Sequence, residues 1–308
     1  MKPKRSSAET QGADQLVQPL FPDLPPNGKG KTRRYGRIRQ SIWSEHKAKF
    51  IQQYLRIFVQ ITRHGAYIDG FAGPQNEGQE DAWSADLVLK SEPKWLRHFF
   101  LCEKNKRGLG ALRKLKKSQP EPRDRKGRKL YRNIEIWPGD FNKNVTEILR
   151  GGKITQKEAT FCLLDQRMFE CHWETVQKLA AYKTPPNRKI EILYFLGVGW
   201  LHRSLSGIRH TDKMDRWWGN KDWQQLRGMK HIEIANLVRD RFEKELRYGS
   251  AAAYPIYDKE QGNRVMYYMI HASDHDEAPM LMVRAHHKAV RSLPKETQEQ
   301  INFPPSEG

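Results

Sequence analysis

Cysteine is scarce in this chain: Cys102, Cys162 and Cys171 are the only three among 308 residues. Thiols so few and scattered do not make a disulfide framework, and a cytoplasmic protein is expected. Apolar residues are also sparse, at 37%, part of the deficit lying in the polar ends. No apolar run reaches membrane-spanning length, and the N-terminus lacks the apolar core of a signal peptide. Internal repeats are missing. So are several chemical signatures. No CxxC accompanies Cys162, Cys171 and His172, which argues against zinc. His286-His287 is not HExxH, and no GxSxG elbow surrounds Ser204 or Ser206. Negative charge is short as well, with 36 acidic residues against 55 basic ones.

That shortage leaves a formal net charge of +19, and the excess is local. From Lys104 to Arg132 thirteen Lys or Arg residues meet only Glu121 and Asp124. The N-terminal arm adds Lys29, Lys31, Arg33, Arg34, Arg37 and Arg39. Such stretches are the electrostatic footprint of a polyanion binder, because each neutralised phosphate releases condensed counterions. The alternative is a solvated, solubilising surface. A membrane surface fits worse, since no basic helix has a clean aromatic face.

Residues 1–38, rich in Pro, Gly, Gln, Ser and charge, are expected to be a disordered basic arm. A single domain is expected over 39–292, with a tail at 293–308. Within it, Trp43, Phe50, Tyr54, Leu55, Ile57, Phe58 and Ile61 recur at helical spacing from Ser41 to about Thr62. Five compact apolar runs follow: Tyr67-Ile68, His98–Cys102, Asn133–Trp137, Ala159–Leu164 and Ile190–Leu196. They alternate with helical patterns, which predicts a mostly parallel α/β sheet with right-handed crossovers. A helical insertion with Trp217, Trp218 and Trp223 occupies about 200–250. Tyr254–Tyr257 and Val265–His271, joined by Gly262-Asn263, predict an antiparallel hairpin closing the sheet. A last helix covers about Glu277–Arg291.

The organising stretch is YIDGFAGPQNEG, residues 67–78. A buried strand ends in Asp69 and gives way to a turn in which Gly70, Gly73 and Gly78 permit close backbone approach. Ser84 is the N-cap expected for the next helix. The spacing is not GxGxxG and no Lys-Ser/Thr pair follows, so neither a dinucleotide fingerprint nor a P-loop is present. Three further strands finish in carboxylates: Glu103, Asp140 and Asp165. In an open α/β sheet the carboxyl ends of the strands share one crevice. An adenosine-type cofactor suits four acids so arranged. Asp69, Gly70, Phe71, Ala72 and Gly73 would cradle its charged part, Glu103 its ribose, and Asp140 with Phe141 its adenine. Asp165 is left to face the substrate. Glu103 also has a structural reading, as a glutamate favourable to the start of the basic helix behind it.

These residues carry a resemblance. WSEHKAKFIQQYL (43–55), YIDGFAGP (67–74), FLCEKN (100–105), PGDFN (138–142), FCLLDQRMFECHWETVQKLA (161–180) and RWWGNKDW (216–223) resemble the three-Cys-motif partner protein (TcmP) family. The likeness spans about residues 40–290, and YIDGFAGP is its most diagnostic block. It implies a class I S-adenosylmethionine-dependent methyltransferase fold, with S-adenosylmethionine as cofactor. It also implies, as partner, a protein bearing a three-cysteine motif.

One block departs from the pattern. Relatives more often carry an Asp-Pro-Phe-Gly loop after the fourth strand, reminiscent of loops that grip a target amine and stack on a flipped base. Here the loop reads Asp165-Gln166-Arg167-Met168-Phe169, with both prolines of the amine-methylating loop absent. Asp165 is the expected catalytic residue, and Gln166, Arg167, Phe169 and Trp173 the expected substrate contacts. Arg167 would grip a phosphate or base edge and an aromatic ring would stack. Phe169 and Trp173 read equally well as core. Two functions follow: a methyltransferase acting on nucleic acid, or a methyltransferase-fold binding module without catalysis.

Overall fold

The computed structural model describes residues 42–74, 83–124, 126–167, 169–199, 201, 205, 211–258 and 264–291. The basic arm, Gly78, the Gly262-Asn263 turn, Ser204, Ser206 and the tail lie outside them.

Helix α1 (Ile42–Thr62) buries Phe50, Ile51, Tyr54, Leu55, Phe58 and Val59 along one stripe. It stops where the chain must turn tightly into the sheet. Gly65 takes φ +146, and a Cβ there would lie 2.8 Å from the Ala159 carbonyl oxygen. Strand β1 (Ala66–Asp69) follows, then α2 (Ser84–Lys90), β2 (His98–Glu103), α3 (Lys106–Ser118), β3 (Asn133–Pro138), α4 (Phe141–Arg150), β4 (Thr160–Leu164), α5 (Trp173–Ala181) and β5 (Glu191–Leu196). The helical region continues as α6 (Thr211–Trp218), a 3-10 turn (Lys221–Leu226) and α7 (His231–Lys244). Strands β6 (Ser250–Asp258) and β7 (Arg264–Ser273) and helix α8 (Ala278–Arg291) complete the order.

Seven strands form one sheet in the order β3-β2-β1-β4-β5-β7-β6. The first five are parallel, and β7 runs antiparallel between β5 and β6. This is a mostly parallel, Rossmann-like sheet closed by an antiparallel hairpin, as the alternating pattern predicts. The period-2 alternation of strand side chains splits the core in two. Ile68, Phe100, Cys162, Leu164 and Tyr194 face one layer with α4, α5, α6 and α7. Tyr67, Phe99, Leu101, Phe161 and Leu193 face the other, with α1, α2, α3 and α8. All three cysteines are buried and free. Among the described residues no helix is long and apolar enough to cross a membrane.

Some local expectations are corrected. Ser84 is the first residue of α2 rather than its cap; Trp83 holds the cap position with no side-chain cap bond. Helix α4 begins at Phe141, directly after the strand-end loop, because the Asp140 carboxylate accepts the Asn142 N–H at 2.9 Å and nucleates the first turn. The hairpin strands are longer than their aromatic stretches. Ala251, Ala252 and Ala253, helix formers by propensity, lie in β6 because β7 pairs with them residue by residue.

Candidate functional site

The strand order reverses between β1 and β4, so the crevice of this sheet lies at their carboxyl ends. Asp69 is the last residue of β1, in register with Leu101 of β2 and Leu163 of β4. Asp165 follows β4 directly, and Glu103 ends β2, in register with Pro138 of β3. Asp140 comes two residues after Pro138. Four carboxylates therefore mark the carboxyl ends of four adjacent strands, with Asp69 and Asp165 flanking the reversal point.

Their surroundings differ. Asp69 is 1% exposed. Its Oδ1 accepts the Phe71 N–H and its Oδ2 the Tyr67 hydroxyl, each at 3.1 Å. Burial pushes its carboxyl up to about 7; the Asp165 and Glu103 charges push the same way, while the Phe71 and Tyr67 hydrogen bonds oppose. The Gly70 N–H goes to the Leu163 carbonyl and the Ala72 N–H to the Cys102 carbonyl. Three N–H groups of the glycine turn are thus already bonded, which disfavours an anion there. The acidic side chains remain for a cationic or hydroxyl-rich group.

Glu103 packs into a slot that only glycines can form: a Cβ on Gly73 or Gly108 would collide with its carboxylate. Its Oε1 accepts the Asn105 N–H at 2.7 Å, so it also helps shape the start of α3. Asp140 is exposed while capping α4. Phe141 is corrected. Its ring is 2% exposed, and a Cβ on Gly70 would come within 2.8 Å of it. It packs beneath the turn and edge-on to Phe71, so it is not an adenine-facing wall.

Asp165 has a partner that sequence reasoning missed. Lys47 of α1 is 2% exposed, and its Nζ lies 2.8 Å from Oδ1 and 2.7 Å from Oδ2 of Asp165. The same ammonium sits 4.8 Å from the Phe195 ring centre. A signal existed: Lys47, Phe50, Ile51 and Tyr54 stand at i, i+3, i+4 and i+7, so the core-facing stripe includes a lysine. A buried charge in that register calls for a partner. Between Asp69 and Asp165 the cleft is narrow, about 10 Å³, bounded opposite by Trp83 and Ser84. That is room for one water.

The loop after Asp165 is mostly built as core. Gln166 is 2% exposed; its Nε2 donates to the Phe195 carbonyl and its Oε1 accepts the Cys171 N–H. Both ends of the amide are used, so it is corrected from a substrate contact to a loop brace. Phe169 is buried edge-on to Trp217, with centroids 5.0 Å apart. Trp173 is buried too, its Nε1 donating to Glu245 and its ring face 3.8 Å from the Arg241 guanidinium. Neither ring has a face left for a base, and the core alternative describes both. Met168 lies outside the described residues. Arg167 alone of the four is exposed, and its guanidinium reaches across to the Pro74 carbonyl at 3.1 Å. Asn142, also missed, ties this loop to α4: its Oδ1 accepts from His172 N and Thr175 Oγ1, and its Nδ2 donates to the Glu170 carbonyl.

Compared with known proteins, the chain matches no family model. No curated protein matches its sequence. Among solved structures it is similar to the methyltransferase domain of a bacterial Hen1, at 10% identity and a TM-score of 0.41. That match covers 74% of this chain and 99% of the other. At that score the likeness says nothing of this chain's chemistry.

Proposed function

We propose that this protein is an S-adenosylmethionine-dependent methyltransferase acting on nucleic acid, of the three-Cys-motif partner protein type. The observation that carries the reading is the alignment of Asp69, Glu103, Asp140 and Asp165 along the carboxyl edge of four adjacent strands, centred on the strand-order reversal. The donor set suits the cofactor. Glu103 and Asp140 offer acceptors to ribose hydroxyls and an adenine amine, and the turn after Asp69 favours a cation over an anion. Bound S-adenosylmethionine would supply an electrophilic methyl group. The chain's own task is then to position an acceptor in line with it, which can provide most of the rate.

Asp165 is the residue for that task, held in place by Lys47 and accepting a hydrogen bond from the acceptor atom. Arg167, exposed at the rim, would grip a phosphate of the substrate. The basic face of α3 supplies attraction to a polyanion, and Lys106, Arg113, Lys114, Lys116 and Lys117 are all exposed there. The partner with a three-cysteine motif and the cytoplasmic setting come with the same reading.

The test is methyl transfer to total RNA and DNA from the native cell. Asp165→Ala should abolish transfer while leaving cofactor affinity within about threefold, because an acceptor-side group need not touch the cofactor. Full activity in that variant would remove Asp165 from the chemistry. One observation favours the second reading, a binding module. The cleft at Asp69 and Asp165 is water-sized, and the loop expected to clamp a base is largely buried. Cofactor binding without transfer to any nucleic acid would decide for the module.

A further inference from the structure

A cavity of about 520 Å³ lies at the opposite edge of the sheet. Its lining includes Thr160 and Glu191, which begin β4 and β5, and Ser273, which ends the antiparallel β7. Five residue steps along β4 separate Thr160 from Asp165, about 17 Å at strand rise. The cavity is thus distinct from the crevice, and nothing in the proposed reaction uses it.

One wall is apolar. Phe58 and Ile61 of α1 and Leu281 of α8 form it, and Ile61 is 44% exposed at the mouth. The floor is polar; Glu191 and Asp274 are hydrogen-bonded there, whereas Glu158 Oε1 is buried with no hydrogen-bond partner. Glu191 is buried and takes hydrogen bonds from the Tyr54 hydroxyl and from Ser273 Oγ, with His271 Nε2 at 2.9 Å. Glu158 Oε1 lies 3.3 Å from His64 Nδ1. Asp274 Oδ2 lies 3.2 Å from Lys189 Nζ.

Lys183 is 4% exposed, and its ammonium donates only to neutral acceptors, the Glu158 carbonyl and Thr160 Oγ1. An ammonium has three donors, so one remains on a side chain that lines the cavity. A buried cation with no bonded carboxylate is poorly compensated. Burial accordingly pulls its pKa down to about 8, against an opposing pull from Glu158.

We propose that this cavity binds a small monocarboxylate with an apolar body, its carboxylate on Lys183 and its body along Phe58, Ile61 and Leu281. A single remaining donor suits one carboxylate oxygen. The other cations of the lining differ from Lys183: Lys157 and Arg188 are exposed, and Lys189 pairs with Asp274. The volume is in the range of small-molecule pockets, and an apolar wall with a few convergent polar groups is their usual make-up.

Octanoate and its neutral analogue octanamide are the probes, titrated calorimetrically into the full chain at pH 7. Saturable octanoate binding is expected, with octanamide at least tenfold weaker. Lys183→Met, checked for folding by its melt, should lower octanoate affinity at least tenfold. Ile61→Glu changes an exposed residue, so its fold is secure should Lys183→Met fail. It should lower octanoate affinity by a similar factor, by placing a like charge at the mouth. Equal binding of the two probes, no saturable octanoate binding at millimolar concentration, or unchanged affinity in Ile61→Glu would each overturn the proposal. Cofactor binding is not part of the readout, so failure here leaves the methyltransferase reading untouched.

Discussion

The two edges of this sheet hold polar groups in opposite ways. At the carboxyl edge four carboxylates sit one to a strand, and the gap between the central two is about 10 Å³. At the amino edge, groups from separated segments converge on about 520 Å³. The buried lysines differ in the same sense. Lys47 has both oxygens of Asp165, whereas Lys183 has a carbonyl and a hydroxyl. Space and charge compensation are therefore traded between the edges: the acidic edge is neutralised from within, and the open edge keeps a cation for something to meet.

The largest expected effect breaks that contrast at Lys47. Lys47→Met leaves Asp165 buried without its ammonium and should cost about 3–5 kcal/mol in urea unfolding. Adding Asp165→Leu should recover most of it. Lys183→Met, losing two neutral hydrogen bonds and a poorly compensated charge, should cost only about 1–2 kcal/mol. Equal losses at the two lysines would erase the distinction drawn between the edges.

Next is the pH dependence of Asp69. Its folded carboxyl titrates at about 7, well above its unfolded value of about 3.9. The folded chain therefore holds a proton that the unfolded chain has lost. The stability this contributes is complete below the unfolded value and lost as pH rises through the folded one. Asn keeps the acceptor oxygen and does not titrate. Asp69→Asn should match wild type near pH 4 and melt roughly 2–6 °C higher at pH 8. A difference independent of pH would mean that Asp69 does not titrate in this window.

The smallest effect concerns the basic stretch, whose described cations the structure divides into paired and unpaired sets. In the connector after α3, Arg123 and Lys129 pair with Glu121, and Arg128 pairs with Asp124. No described ion pair involves Arg113, Lys114, Lys116 or Lys117 of α3. Replacing these four by Gln should flatten the log–log salt dependence of nucleic-acid affinity by roughly 2–3 units. Replacing Arg123, Lys126, Arg128 and Lys129 should change it less. An unchanged slope for the α3 set would leave that face a solvated surface.

Much of the carboxyl edge was legible in the sequence because it is periodic and local. An apolar run, an acid at its tip and a turn can each be read without knowing what lies opposite. The burial of Phe141 and Gln166 was not legible in this way, and for Phe169 and Trp173 the sequence left core and substrate contact equally open. Each is fixed by a partner distant in sequence, such as Gly70, Phe195, Trp217 or Arg241. The amino-edge cavity was silent for the same reason, since Tyr54, Lys183, Glu191 and Ser273 share no spacing. Lys47 stands between the two cases: its place on the apolar stripe was visible, while its partner 118 residues away was not.

Calorimetric titration of S-adenosylmethionine into wild type and Glu103→Ala addresses the central claim most directly, that the carboxyl-edge acids form a cofactor site. The account predicts one-to-one binding to wild type, weakened in Glu103→Ala by about 1.5–3 kcal/mol, roughly 10- to 150-fold, with an intact melt. No binding to wild type, or equal affinity in the folded variant, would contradict it.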